Sequence, residues 1–222
     1  MARATNAAAR DEAGLPPVPP SALYRALRAW LRPAADRLLS LAVEGTEHLP
    51  RRAPYIVAAN HHNYLDGVVI ALALPVPIGF IVMPGVYRAS RLHPFLHDRI
   101  GSIPVNLERP DIGAFRRALR ALEGGRVIGI FPEGPFSVRG RLERGQPGVG
   151  LLALRSGVPV IPAGIQGTYE ALRGRRLHVP RRHPVRVRFG PGRRFGIDGE
   201  RPRLDRAGVT QRIMDDIAAL LA

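Results

Sequence analysis

Seven consecutive residues, Asn60-His61-His62-Asn63-Tyr64-Leu65-Asp66, set two imidazoles and a carboxylate directly behind an apolar run. A neutral imidazole can take a proton from an alcohol. A carboxylate bonded to the other ring nitrogen fixes the tautomer and stabilises the imidazolium that forms. Such general-base catalysis contributes roughly 10²–10⁴-fold to a rate. Helix geometry pairs His62 with Asp66, four residues apart on one face, whereas His61 reaches that carboxylate only if the chain turns before the helix begins. Periodicity does not choose between them. The bland alternative is a turn capped by histidine and a helix capped by aspartate. A metal is not expected, because ligands beyond this cluster are hard to name.

The second chemical candidate is Phe131-Pro132-Glu133-Gly134-Pro135-Phe136-Ser137, at the end of a strongly apolar run. A carboxylate held on a tight turn between proline and glycine offers a rigid acceptor for substrate hydroxyls or a partner for arginine. Gly134 lets the main chain approach a ligand closely. A plain surface turn is the competing reading. The chain has no cysteine and no Gly-x-Ser-x-Gly elbow, so the usual covalent nucleophiles lack support. Direct attack by an acceptor alcohol is favoured instead.

These residues need elements to hold them. Strands are expected at Tyr55–Ala59, Ile78–Val82, within Ser102–Asn106, and at Arg126–Phe131, Val158–Ile165 and Val185–Phe189. Helices are expected from Asp66 to Leu74, around Val86–Leu96, from an Asp111 cap to Gly124-Gly125, over Val149–Arg155 and from about Val209 to Leu221. Strands alternating with helices imply an α/β layered domain whose ligands bind at loops beyond the carboxyl ends of the strands. The histidine cluster and the Glu133 turn both fall on such loops. From Ser21 to Val43 apolar residues recur at helical spacing, with Pro33 expected to divide the segment into two short helices. That segment reads either as a helical hairpin on the core or as an interfacial anchor, with Trp30 at headgroup level and Arg25, Arg28, Arg32 and Arg37 facing anionic lipid.

The 222 residues, 45% hydrophobic, suffice for one domain with its own core. The expected division is a mobile tail over 1–20, the helical element over 21–43 and the main domain over 44–222. All 33 basic side chains are arginine and the formal net charge is +15, a balance that favours anionic membranes, phosphorylated substrates, acidic carriers or nucleic acid. The aromatic content of 6%, with no basic run interleaved with aromatics, argues against a base-stacking surface, so nucleic acid is an unlikely partner. The most apolar stretch, Leu65 to Met83, is interrupted by Pro75, Pro77 and Gly79, and reads as a helix followed by a buried strand rather than a membrane span.

In order and spacing these motifs resemble those of the PlsC-like glycerolipid acyltransferases, best known for 1-acylglycerol-3-phosphate acyltransferases, over roughly Leu38 to Gly190. The family's Asn-His, four residues, Asp block resembles Asn60 to Asp66, and the resemblance selects His61 as the base and Asp66 as its orienting partner. The third block resembles Phe131-Pro132-Glu133-Gly134 and the fourth Val158-Pro159-Val160-Ile161-Pro162, which implies substrate contacts at Glu133, Gly134 and Pro162. In the second block, Gly101 to Arg109, Leu107 stands where the phosphate-binding arginine usually comes, with Arg109 as its replacement from a loop. Pro135-Phe136-Ser137 stands where the family often carries Thr-Arg-Ser. The resemblance implies a mixed sheet flanked by helices, with an N-terminal amphipathic helical element applied to the membrane. It also implies acyl-CoA or acyl-carrier protein as donor, a lysophosphatidate-like acceptor or another lysolipid or alcohol, and no metal or other cofactor. The expected location is peripheral or monotopic on the cytoplasmic face of the cell membrane.

Overall fold

The computed structural model describes residues 22–83, 101–106, 111–172, 180–196 and 205–222. The helix expected around Val86–Leu96 and the side chain of Arg109 lie outside them. Strand β1 (Ala42–Glu44) is followed by β2 (Tyr55–Ala59), β3 (Ile78–Val82), β4 (Ile103–Pro104), β5 (Val127–Ile130), β6 (Val160–Gln166) and β7 (Arg186–Phe189). They form one sheet in the order β1-β7-β6-β2-β5-β3-β4. Every pairing is parallel except β6 with β7, so the sheet is mixed, as expected.

Strand β2 lies in the interior of the sheet, and all five of its residues are buried. Its side chains alternate between two cores, as a period of two requires. Tyr55, Val57 and Ala59 pack on one face with α1 (Ala22–Leu39) and α2 (Leu65–Ala73). Ile56 and Ala58 pack on the other with α3 (Ile112–Glu123), α4 (Gly148–Ser156) and α6 (Arg206–Leu221). A short helix, α5 (Thr168–Leu172), follows β6 and contributes Ala171 to the first core. The sequence reading locates β2 through β7 to within about two residues at each end and does not anticipate β1. It overextends β4, which spans only Ile103–Pro104; the missing Pro104 N–H faces the open sheet edge, while the Val105 N–H still donates to the Val82 carbonyl at 2.8 Å.

The amino-terminal segment departs from expectation in two ways. First, α1 runs unbroken through Pro33. The carbonyl that Pro33 cannot reach is that of Ala29, and both residues are solvent-exposed, so water can satisfy it. Burial of Ala35 and Leu39 against the sheet helps offset the cost of the proline, about 3 kcal/mol. Second, the boundary expected between 43 and 44 falls inside β1, whose Ala42, Val43 and Glu44 pair with Arg186, Val187 and Arg188 of β7. Helix α1 is tied to the end of α2 as well. The Arg28 guanidinium donates to the carbonyls of Leu74 and Ala71, and the Tyr24 hydroxyl donates to Ala71 at 3.3 Å, so two side chains cap carbonyls that α2 leaves open. None of the described helices is long and apolar enough to cross a membrane.

These ties make residues 22–43 part of the fold. Deleting residues 1–43 removes β1, uncovers the buried Val187 and Phe189, and takes away Ala35 and Leu39 from the core. The truncated chain should lose several kcal/mol of stability, seen as a lower urea midpoint or loss of a cooperative transition. An unchanged midpoint would mean that the segment only rests on the core.

Candidate active site

The site forms where β2 ends. Beyond Ala59, Asn60 continues the ladder with its side chain: its Nδ2 donates to the Ile165 carbonyl at 2.9 Å and its Oδ1 accepts from the Ile165 N–H at 2.7 Å. A carboxamide here copies the pairing of a peptide group while the main chain turns away. That turn is organised by Asp66, which is fully buried in the first turn of α2. Its Oδ2 accepts from His61 Nδ1 at 2.9 Å, from the His62 N–H at 2.6 Å and from the Asn63 N–H at 2.7 Å. Three donors on one oxygen wrap the chain around the carboxylate and bring His61, five residues away, onto it. With Nδ1 donating to Asp66, Nε2 is the nitrogen left to accept a proton.

His62 goes elsewhere. Its Nδ1 lies 3.4 Å from Thr168 Oγ1 and its ring meets Tyr169 edge-on at 6.0 Å, at the start of α5. Burial pushes its imidazolium pKa down, against the pull of Asp66 and Glu170. Of the two histidines, His61 lines an apolar cavity and His62 does not. The His61 ring stacks on Phe131 with centroids 3.8 Å apart and planes 6° from parallel, and Phe136 meets it edge-on at 4.8 Å. Phe131 in turn stacks on Phe80 at 5.5 Å. The imidazole is thus fixed by a hydrogen bond at one edge and by aromatic contacts at its face and flank.

Glu133 lies beneath this arrangement. It is 3% exposed, and its Oε1 accepts from the His61 N–H at 2.7 Å while its Oε2 accepts from the Glu143 N–H at 2.7 Å. It does not line the cavity, in contrast to the substrate contact that the sequence implied; the carboxylate braces the histidine loop against the loop carrying Glu143. The Ser137 N–H closes the same junction by donating to the His61 carbonyl at 2.8 Å. Gly134 does line the cavity, and its φ of 82° is the left-handed conformation that suits glycine in this turn. Pro162 is buried inside β6 opposite Ala58, away from the cavity wall, so its contribution is to the sheet. The sequence reading missed the aromatic packing on His61, although Phe131 and Phe136 flank the Glu133 turn. It also missed the Asn60 clamp, whose partner is 105 residues away.

The cavity has a volume of about 870 Å³ and predominantly apolar walls, among them Leu27, Val68, Phe80, Phe115 and Leu151. That is room for a long hydrocarbon chain beside His61. A family model described as Acyltransferase matches residues 40–166, more than half of the chain and the whole span from β1 through β6. The chain belongs to the acyltransferase family. Among this family member's relatives, the chloroplastic 1-acyl-sn-glycerol-3-phosphate acyltransferase LPAT1 of Arabidopsis thaliana is 26% identical over 144 residues, covering 64% of this chain and 40% of that protein. The 1-acyl-sn-glycerol-3-phosphate acyltransferase of Bacillus subtilis is 26% identical over 127 residues, covering 56% of this chain and 62% of that protein. The chain therefore spans less than two thirds of the length of these curated relatives. In fold it is similar to the 1-acyl-sn-glycerophosphate (LPA) acyltransferase PlsC of Thermotoga maritima, with a TM-score of 0.68 and 22% identity over 90% of this chain and 80% of that one.

In this acyltransferase-family site, burial pushes the Glu133 carboxyl from an ordinary 4.5 up to about 7, against the two N–H donors that favour its charged form. Between those two values the folded chain holds a proton that the unfolded chain has released, so stability falls as pH rises through the window and levels off above it. Glutamine does not titrate. The stability of the wild type relative to Glu133→Gln should therefore decline between pH 5 and pH 8, by on the order of 3 kcal/mol at most. Urea unfolding of both proteins at the two pH values measures this, and a constant difference would mean that Glu133 stays charged throughout.

Proposed function

We propose that the protein is an O-acyltransferase that moves a fatty acyl group from a thioester, acyl-CoA or acyl-carrier protein, to the free hydroxyl of a lysophosphatidate-like acceptor in phospholipid synthesis. The observation that carries this reading is the orientation of His61: Nδ1 is occupied by buried Asp66, and the ring lines an apolar cavity large enough for an acyl chain. In this mechanism His61 Nε2 takes the acceptor's hydroxyl proton as its oxygen attacks the thioester carbonyl carbon. The carbon–sulfur bond breaks when the tetrahedral intermediate collapses, and the departing thiolate takes the proton back from the imidazolium. Asp66 keeps the imidazole in the required tautomer and stabilises its cation. Glu133 acts through the main chain of His61 as a positioning residue. The names of the relatives support the acceptor class, and the chain's net charge of +15 suits both an anionic acceptor and an anionic surface.

The same reading places the enzyme peripherally on a membrane, at the cytoplasmic face. Trp30 is 83% exposed, and Leu27 and Leu31 on the same helix are exposed at the rim of the cavity, as are Tyr64 and Val68 of the histidine loop and α2. An apolar rim of this kind suits lateral uptake of a lipid whose chain never has to cross water.

Purified protein incubated with labelled acyl thioesters and a panel of lysolipids should form the diacyl product. His61→Ala should lower turnover by on the order of 10³-fold or more, with His62→Ala much milder. Equal losses in two folded variants would overturn the assignment of the base. On anionic vesicles the fluorescence of Trp30, the sole tryptophan, should shift to the blue and persist at high salt. Arg28 is bound to main-chain carbonyls and Arg32 is paired with Asp36 at 3.0 Å, which leaves apolar insertion the larger share of binding. A shift abolished by salt would instead assign the attachment to arginine alone.

A further inference from the structure

Among the described residues two arginines line the cavity, Arg28 and Arg206. Arg28 is committed to the carbonyls at the end of α2. Arg206 has no such commitment: no ion pair or side-chain hydrogen bond joins it to another described residue. Its main chain, in contrast, is firmly placed. The Arg206 carbonyl accepts from Thr210 Oγ1 at 2.7 Å and packs so closely on Gly150 of α4 that a Cβ there would fall 2.1 Å from its oxygen. Any larger residue at 150 would displace the start of α6.

Folding alone gives no reason for a cation at this point. Arg206 is the first residue of α6, where the helix dipole disfavours positive charge. Asp111 is the one carboxylate among the described lining residues, and it does not neutralise Arg206. Its Oδ1 accepts from the Ala114 N–H at 2.8 Å and its Oδ2 from the Asn106 N–H at 3.1 Å, bonds that hold its pKa low. An arginine without an ion-pair or side-chain hydrogen-bond partner among the described residues, carrying five guanidinium donors, thus lines a cavity whose other surfaces are mainly hydrocarbon. The matching ligand has a long apolar body and a compact, multiply charged oxyanion, for which a guanidinium fork is the complementary donor.

We propose that Arg206 binds the phosphate of a substrate held in this cavity. The inference rests on the acyl-transfer reading only for the identity of that substrate, which brings phosphate either as the monoester of the acceptor or on the nucleotide end of the donor. The test is equilibrium binding to the full chain by calorimetry, using short-chain lysophosphatidate beside the matching monoacylglycerol, and coenzyme A beside phosphate-free pantetheine. Arg206→Ala should weaken one of the two phosphate-bearing ligands by roughly 10- to 100-fold and leave its phosphate-free counterpart within about twofold. The ligand affected identifies the source, and Arg206→Lys should recover part of the loss. In turnover assays the same variant should raise KM for that substrate with kcat nearly unchanged. Arg206 is exposed, so both variants should melt with the wild type. Unchanged binding of both phosphate ligands, equal losses with and without phosphate, or failure of the wild type to bind either ligand would overturn the proposal. If the wild type binds them and Arg206→Ala does not, yet no acyl transfer occurs, the activity reading fails and the phosphate site stands.

Discussion

A buried carboxylate that must be satisfied by its own loop governs this architecture. Asp66 has no solvent exposure, and in its charged form it is tolerable only because three donors converge on one oxygen. Two of those donors are main-chain N–H groups of residues 62 and 63, so the carboxylate dictates the path of the chain before it dictates the orientation of an imidazole. The other oxygen, Oδ1, is buried without a partner, which raises the cost of disturbing the three bonds that exist. Precision at His61 is therefore a by-product of avoiding an unpaired buried charge.

The remaining polar groups extend the same principle outward. Asn60 fastens the start of the loop to β6, Asn63 donates through Nδ2 to the Thr168 carbonyl at 2.8 Å, and Glu133 fastens His61 to the turn after β5. Each clamp joins segments that are distant in sequence but adjacent in the sheet. The site is held by the strands on both sides of β2, which explains why a loop can present an imidazole with the rigidity of an interior residue. In the proposed mechanism, preorganisation of this sort spares the reaction the cost of arranging dipoles at the moment of proton transfer.

The periodic elements were readable because their residues report burial directly. Ile78–Val82 is a strand in sequence and in structure with the same ends, and Asp111 caps its helix as its position before Ile112 suggests. What escaped reading was set by distant partners. Ala42–Glu44 looks like the tail of a helix until β7 is there to pair with it, and Thr168–Leu172 is too short to show a period. Glu133 was legible as important but not in its role, because a carboxylate between proline and glycine looks the same whether it faces ligand or main chain. The choice of His61 over His62 likewise came from resemblance; local geometry favours an i, i+4 pair, and the turn that defeats it is made by main-chain bonds that leave no mark on side-chain pattern.

The pairing of β1 with β7 also sets an order of events during synthesis. Ala42 is partnered by Arg186, so the first strand of the sheet has no place to go until β7 has been synthesised. Until then α1, with Trp30 and Leu31 exposed even in the finished fold, waits beside an incomplete edge. A nascent chain in that condition presents an amphipathic helix to its surroundings well before the α3, α4 and α6 face is complete. The sheet therefore closes through its most distant pairing, and the edge beside α1 stays open to other surfaces until that pairing forms.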